Sequence, residues 1–126
     1  MGEIKFRLFG KENRIMYSWE EILDFHSLKD TLKYGGEETE YYSPLLQYTG
    51  LSDKYGQEIY EGDILRGPKY YESEESTSPV YDQWKVTYKN CSFYLGYSPI
   101  EEDLDWIGNE CEVIGNVYEN PELLEN

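Results

Sequence analysis

Apolar and polar positions alternate with a period of two through much of the chain, and each such stretch predicts a short, half-buried strand. Ile4-Lys5-Phe6-Arg7-Leu8-Phe9 is the first of them. Gly10-Lys11-Glu12-Asn13 supplies turn residues, and Arg14-Ile15-Met16-Tyr17 reads as the returning strand of a hairpin. At Ser18 the period changes. Ser18 with Glu21 three residues on forms a capping-box pattern, and Trp19, Ile22, Leu23 and His26 then follow at helical spacing. A short helix is therefore predicted from Trp19, ending by Gly35-Gly36. Gly35 to Glu40 is a polar connector and the best internal boundary.

The stretch from Leu46 to Leu65 is the most constrained. Asp53-Lys54-Tyr55-Gly56 predicts a tight turn, with the Asp side chain bonding its own backbone and Gly tolerating positive φ. Thr49-Gly50-Leu51 and Gln57-Glu58-Ile59-Tyr60 are then the arms of a hairpin. Glu61-Gly62-Asp63 is a second turn, and Ile64-Leu65-Arg66 starts a strand. Pro44, just upstream, marks irregular or edge structure. Gly67 to Ser78 lacks periodicity and reads as an exposed loop. Val80 to Tyr88 and Ser92 to Tyr97 are predicted strands turned by Lys89-Asn90. Ser98-Pro99 with Glu101 predicts a helix cap, leading into a helical turn through Leu104 and Trp106. Cys111 to Tyr118, containing Gly115 and Asn116 as turn residues, closes the pattern before Asn120-Pro121.

This succession predicts one mainly β domain over residues 1–126, a small SH3-like β-barrel with an N-terminal β-hairpin and one or two short helices. Residues 1–40 would form the hairpin and helix, residues 41–126 the barrel.

Composition changes the picture in one respect. A mean hydropathy of −0.76 and a net charge of −15 are values found in disordered chains. Fourteen Tyr, four Phe and three Trp supply the apolar surface that such chains lack, so a folded, Tyr-rich protein with an acidic shell is expected. Residues 1–33 are charge-balanced, and the whole excess lies beyond Lys33. Glu101 to Asn126 contains nine carboxylates and no Lys or Arg. Such a surface repels phosphate backbones and anionic membranes, so no direct nucleic-acid or membrane binding is expected. No window has the eighteen or so apolar residues of a membrane span, and no secretory pattern opens the sequence. Cys91 and Cys111 are too few for a disulfide scaffold. A cytoplasmic location with two reduced, packed thiols is the expectation, a Cys91–Cys111 crosslink being the alternative.

Ile4 to Phe9, Leu46 to Leu65 and Glu112 to Leu124 together resemble the YopX family of phage and prophage proteins. The long block from Gln47-Tyr48-Thr49-Gly50-Leu51 to Tyr60-Glu61-Gly62-Asp63-Ile64 carries most of the resemblance. Ser52 and Tyr55, both in the turn, replace the Lys and Asn usual there. The resemblance implies a mainly β, phage-associated protein in the host cytoplasm that self-associates. It supplies no catalytic residues.

Three candidate chemistries remain. The carboxylates Asp53, Glu58, Glu61 and Asp63 could form an acid–base pair or hold Mg²⁺ or Ca²⁺. Their spacing fails the calcium-loop pattern, and Asp53 and Asp63 are better explained, with Gly50, Gly56 and Gly62, as turn-forming residues. His26 is the single histidine, which rules out a His-pair zinc site; a Cys–His pair with Cys91 or Cys111 is weaker than a core role for His26 on a helix's apolar face. No nucleophile elbow or phosphate-binding glycine pattern occurs. The protein is expected not to be an enzyme, with no catalytic, cofactor-binding or metal-ligating residues.

The tyrosines are the third candidate. Tyr48, Tyr60, Tyr70, Tyr71 and Tyr118, with Tyr41 and Tyr42, exceed what one small core needs, and Tyr is favoured at interfaces. The expected function is protein–protein contact and self-assembly, with a homo-oligomer and a host or phage protein as partners. The alternative is an acidic DNA mimic that inhibits a host nucleic-acid-binding protein. A globule of this size is about 35 Å across, and duplex DNA of that length carries about 20 charges, comparable to the excess here.

Overall fold

The computed structural model describes residues 3–69 and 80–124. Two antiparallel sheets make up the fold. The first contains β1 (Phe6–Gly10), β2 (Ile15–Tyr17), β3 (Leu46–Ser52) and β4 (Glu58–Tyr60), in the order β2-β1-β3-β4. The second contains β5 (Asp63–Lys69), β6 (Val80–Lys89), β7 (Ser92–Leu95), β8 (Ser98–Pro99) and β9 (Glu112–Asn116), in the order β8-β7-β6-β5-β9. The sheet curls into a half-barrel, the small mainly β fold that the strand pattern predicts.

The predicted hairpin at the N-terminus is present, with Phe9 opposite Met16. Ser18 and Glu21 make both bonds of a capping box at the start of α1 (Trp19–Leu23). The helical stretch then divides. Asp24 ends α1, and α2 (Leu28–Tyr34) follows after a short connector and stops at Gly35. His26 falls in that connector and is exposed, so it is not on an apolar helix face and not in the core.

The two sheets do not divide at the polar connector. Arg7 of β1 pairs with Leu46 of β3, and Phe9 and Ser43 bond through both the backbone and the Ser43 hydroxyl. The N-terminal strands thus belong to the same sheet as the β3–β4 hairpin. The passage from one sheet to the other falls at Glu61-Gly62.

Gly62 makes that passage. Its φ is +89°, a conformation Gly adopts at little cost. Its amide donates to Val86 O and its carbonyl accepts from Val117 N, both at 2.8 Å. Gly50 and Gly115, expected in turns, lie within β3 and β9 at two irregularities of register. The β3 irregularity gives Gly50 a φ of +86°, and in β9 an extra residue is accommodated at Ile114.

Other local expectations are corrected. β5 continues through Gly67, Pro68 and Lys69, because these pair with Asp82, Tyr81 and Val80; the remainder of the loop expected over Gly67 to Ser78 lies outside the described residues. The turn after β6 is Asn90-Cys91, with φ of +51° and +63°, the two-residue hairpin geometry that matches strand twist. Ser98-Pro99 is not a side-chain cap but a two-residue strand beside β7, followed by a 3-10 turn over Ile100–Glu102. α3 (Leu104–Glu110) occupies the place of the predicted helical turn.

The main core joins both sheets and α3: Ile59, Leu65, Val86, Leu95, Ile100, Ile107 and Cys111, flanked by Leu51, Trp84, Phe93, Trp106 and Val113. Each fully buried large aliphatic side chain in this cluster contributes about 1.5–3 kcal/mol to folding. Outside this cluster, Leu8, Phe9, Ile22 and Leu46 are also buried.

Candidate functional site

Side chains directly opposite in an antiparallel pair share one face of the sheet. The Tyr48 amide donates to Lys5 O at 2.9 Å, and Tyr48 opposes Tyr60, which aligns Lys5, Tyr48 and Tyr60 across three chain segments. Arg7 stands two residues along from Lys5 and therefore on the same face. The result is a cluster of aromatics and charges. The tyrosine rings lie 5.3 Å apart. Lys5 Nζ sits 4.7 Å over Tyr48, and the Arg7 guanidinium 4.6 Å over Tyr60.

Two of the four candidate carboxylates complete this cluster. Lys5 Nζ donates to Glu58 Oε2, and Arg7 Nη2 donates to Asp63 Oδ1. The other Asp63 oxygen accepts from the Tyr60 amide at 2.8 Å. Burial pushes the Asp63 carboxyl upward, and the Arg7 charge and Tyr60 amide oppose that push. The Lys5 ammonium is held above the usual lysine range, mainly by its bond to Glu58. Burial and the Glu58 charge raise the Tyr60 phenol to about 12. Glu58 and Asp63 each face a cation, so the cluster acts as a clamp between the β1 segment, β4 and the start of β5.

The other two candidates stand elsewhere. Asp53 is buried in its turn and ties three amides: Oδ1 accepts from Tyr55 N and Gln57 N at 2.9 Å, and Oδ2 from Val113 N at 2.8 Å. With the bond from Lys54 N to Cys111 O at 3.0 Å, this fastens the tip of the β3–β4 hairpin to β9. Gly56, at φ +81°, closes the same turn. Glu61 accepts from the Gln47 amide, and burial raises its carboxyl. Asn116 ends β9 and accepts from Tyr118 N and Glu119 N, starting the last turn. Among the described residues, no group of three or more His, Cys, Asp and Glu side chains is placed to hold a metal ion.

The two thiols differ. Cys111 is buried, and burial with the neighbouring Glu110 and Asp103 charges pushes its pKa up to about 12. Cys91 is free and exposed at the β6–β7 turn, so only one of the two thiols is packed and the two are not crosslinked.

The tyrosines divide in a way the sequence did not reveal. Tyr60 is buried and Tyr48 half-buried in the clamp. Tyr118 stacks on Phe9 at 5.5 Å and donates to Glu38 Oε1 at 3.1 Å. Tyr70 and Tyr71 lie outside the described residues. The exposed tyrosines among the described residues are Tyr34, Tyr41, Tyr42, Tyr55, Tyr81, Tyr88 and Tyr97. Of the candidates among the described residues, only Tyr41 and Tyr42 present much surface.

Sequence reasoning also missed Lys5 and Arg7, which the alternation assigned to a polar outer face. Their signal was the two basic residues at alternate positions of a strand in a strongly acidic protein.

Taken together, fold and clamp define a class: a small, two-sheet, mainly β protein with a cluster of paired charges joining its sheets. A family model described as YopX protein matches residues 5–125, and the chain belongs to the YopX family. A similar solved structure is that of protein EF1440 from Enterococcus faecalis, with a TM-score of 0.65 and 25% identity, covering 99% of this chain and 100% of that one. No curated protein matches the chain. Among the described residues, no helix is long and apolar enough to cross a membrane.

Proposed function

We propose that this chain is a phage or prophage protein that acts in the host cytoplasm through protein–protein contacts and self-association, without catalysis of its own. The observation that carries this reading is the exposed apolar surface around α2. Leu32, Tyr34, Tyr41 and Tyr42 are all about half exposed or more. Tyr34 and Tyr42 line one hollow of about 320 Å³ with Leu8 and Phe25, and α2 has no fully buried residue.

Charge selects the occupant. α2 carries Lys29 and Lys33 beside Asp30, and Asp30 and Glu37 line the hollow, so this surface offers both signs of charge and two copies can pair across it. A second copy of this chain is therefore the partner this surface fits best. The clamp supports the absence of catalysis, because its carboxylates are engaged by Lys5, Arg7 and backbone amides.

Light scattering after size-exclusion chromatography, from micromolar to sub-millimolar protein, tests this. A mass above that of one chain is expected, lost in the Tyr34→Ser, Tyr42→Ser double variant. A single-chain mass at every concentration overturns it.

A further inference from the structure

A second surface lies on the opposite part of the sequence. Residues Pro68, Lys69, Trp84, Leu95, Tyr97 and Trp106, with Ser98 and Asp103, line an open cleft of about 600 Å³, within the roughly 300–1,000 Å³ of ligand sites. Trp84 and Trp106 meet edge to face at 5.3 Å, and the Trp106 indole donates to Pro68 O at 3.1 Å. Two glycines allow these walls to form. A Cβ on Gly67 would stand 2.5 Å from Cys111 Sγ and 3.0 Å from Trp106, and one on Gly96 would stand 3.0 Å from Trp84. Gly96 has a φ of +61° and, with Tyr97, makes the β7–β8 turn at the lip of the cleft. Tyr97 is 97% exposed, so it adds almost nothing to the core.

The chemistry of the rim is specific. Asp103 and Trp106 also line the adjoining hollow, with Glu101, Glu102 and Asp105. Carboxylates thus border the aromatic walls directly. Lys69 Nζ lies 5.3 Å over Trp84 while paired with Asp82 at 3.0 Å, an internal example of a cation on this aromatic wall beside a carboxylate. Flat aromatic walls are complementary to proline rings in an extended segment. Carboxylates beside those walls add attraction for a guanidinium or ammonium group.

We propose that this cleft binds an extended, proline-containing cationic segment of a partner protein. Proline rings lie against Tyr97 and the tryptophans, and a basic side chain reaches Asp103 and its neighbours. This surface is separate from α2, so it stands or falls independently of self-association.

Titration of the full chain with a peptide repeating Ala-Pro-Arg, followed by two-dimensional NMR, tests it. The indole N–H signals of Trp84 and Trp106 are expected to shift saturably while that of Trp19 stays fixed. Repeats of Ala-Pro-Glu and Ala-Gly-Arg are expected to bind at least about fivefold more weakly. Tyr97→Ala is expected to weaken binding about fivefold, and Asp103→Asn to weaken it and lower its salt dependence. Both side chains can be changed safely, since Tyr97 is exposed and Asp103 makes no side-chain cap bond to α3. The proposal is overturned by no saturable shift, by equal binding of the Ala-Gly-Arg repeat, or by unchanged affinity in both variants.

Discussion

Arg7 and Asp63 stand 56 positions apart in the chain and bond directly, joining the second strand position of one sheet to the first residue of the other. Asp63 has 1% of its side chain exposed and Arg7 14%, so little water competes for either. Removing one member leaves the other charge buried, which costs about 3–5 kcal/mol in comparable pairs. Asp63→Asn and Arg7→Met are each expected to destabilise by about 3 kcal/mol, discounted for the partial exposure of Arg7. The double variant is expected to lose less than the two losses added, with about 1–3 kcal/mol of coupling. Urea unfolding of the four proteins measures this, and strict additivity refutes the clamp.

Asp53 secures the hairpin tip to β9 through three amides. Hydrogen bonds to a charged group contribute about 1.5–3 kcal/mol each, net of the bonds to water they replace. Asp53→Ala is expected to cost about 3 kcal/mol, and Asp53→Asn less, because one side-chain oxygen is retained. Hydrogen exchange provides a local readout: the Val113 amide is expected to lose protection more than amides of the β6–β7 hairpin.

The phenols of Tyr60 and Tyr118 are both raised, by burial first and then by neighbouring carboxylates, Tyr60 to about 12. Unfolded tyrosine ionises near 10, so above that pH the unfolded chain releases protons that the native state retains. Stability is therefore fully present below about pH 10 and falls as pH rises toward 12. Absorbance titration is expected to show a late ionisation step whose amplitude falls in Tyr60→Phe. Simultaneous ionisation of all the tyrosines contradicts the burial.

Cys91 occupies the second position of a two-residue turn at φ +63°, where glycine is favoured. Cys91→Gly is expected to stabilise by about 0.5–1 kcal/mol, because the left-handed backbone no longer strains a Cβ. In the unsubstituted protein, one thiol is expected to react with a disulfide reagent under native conditions and two after denaturation. The delayed thiol is Cys111, buried and raised to about 12.

Much of the fold was legible because local chemistry sufficed for it. Alternation marked β1 and β6; Ser18 and Glu21 marked α1; Asp53 and Gly56 marked the turn between β3 and β4. These signals act over a few residues, so tertiary packing had little to overrule. Ser98-Pro99 shows the limit. The same residues suit a helix cap or an edge strand, and pairing with Tyr94 and Leu95 selected the strand.

The candidate site was much less legible. The block from Leu46 to Leu65 identified the family, and its turn residues follow from their own side chains and backbone angles. Its partners do not. That Glu58 and Asp63 face Lys5 and Arg7, and that Asp53 reaches Val113, depends on which strands lie side by side, a relation over 53 to 60 positions. Exposure follows the same rule: Tyr60 and Tyr97 are identical as residues, yet one is 9% exposed and the other 97%. By itself the sequence determined strand period, caps, turns and the acidic excess, because those are set by neighbours along the chain. Only the tertiary structure decided which charges are neutralised and which aromatics face solvent, because both depend on contacts between distant segments.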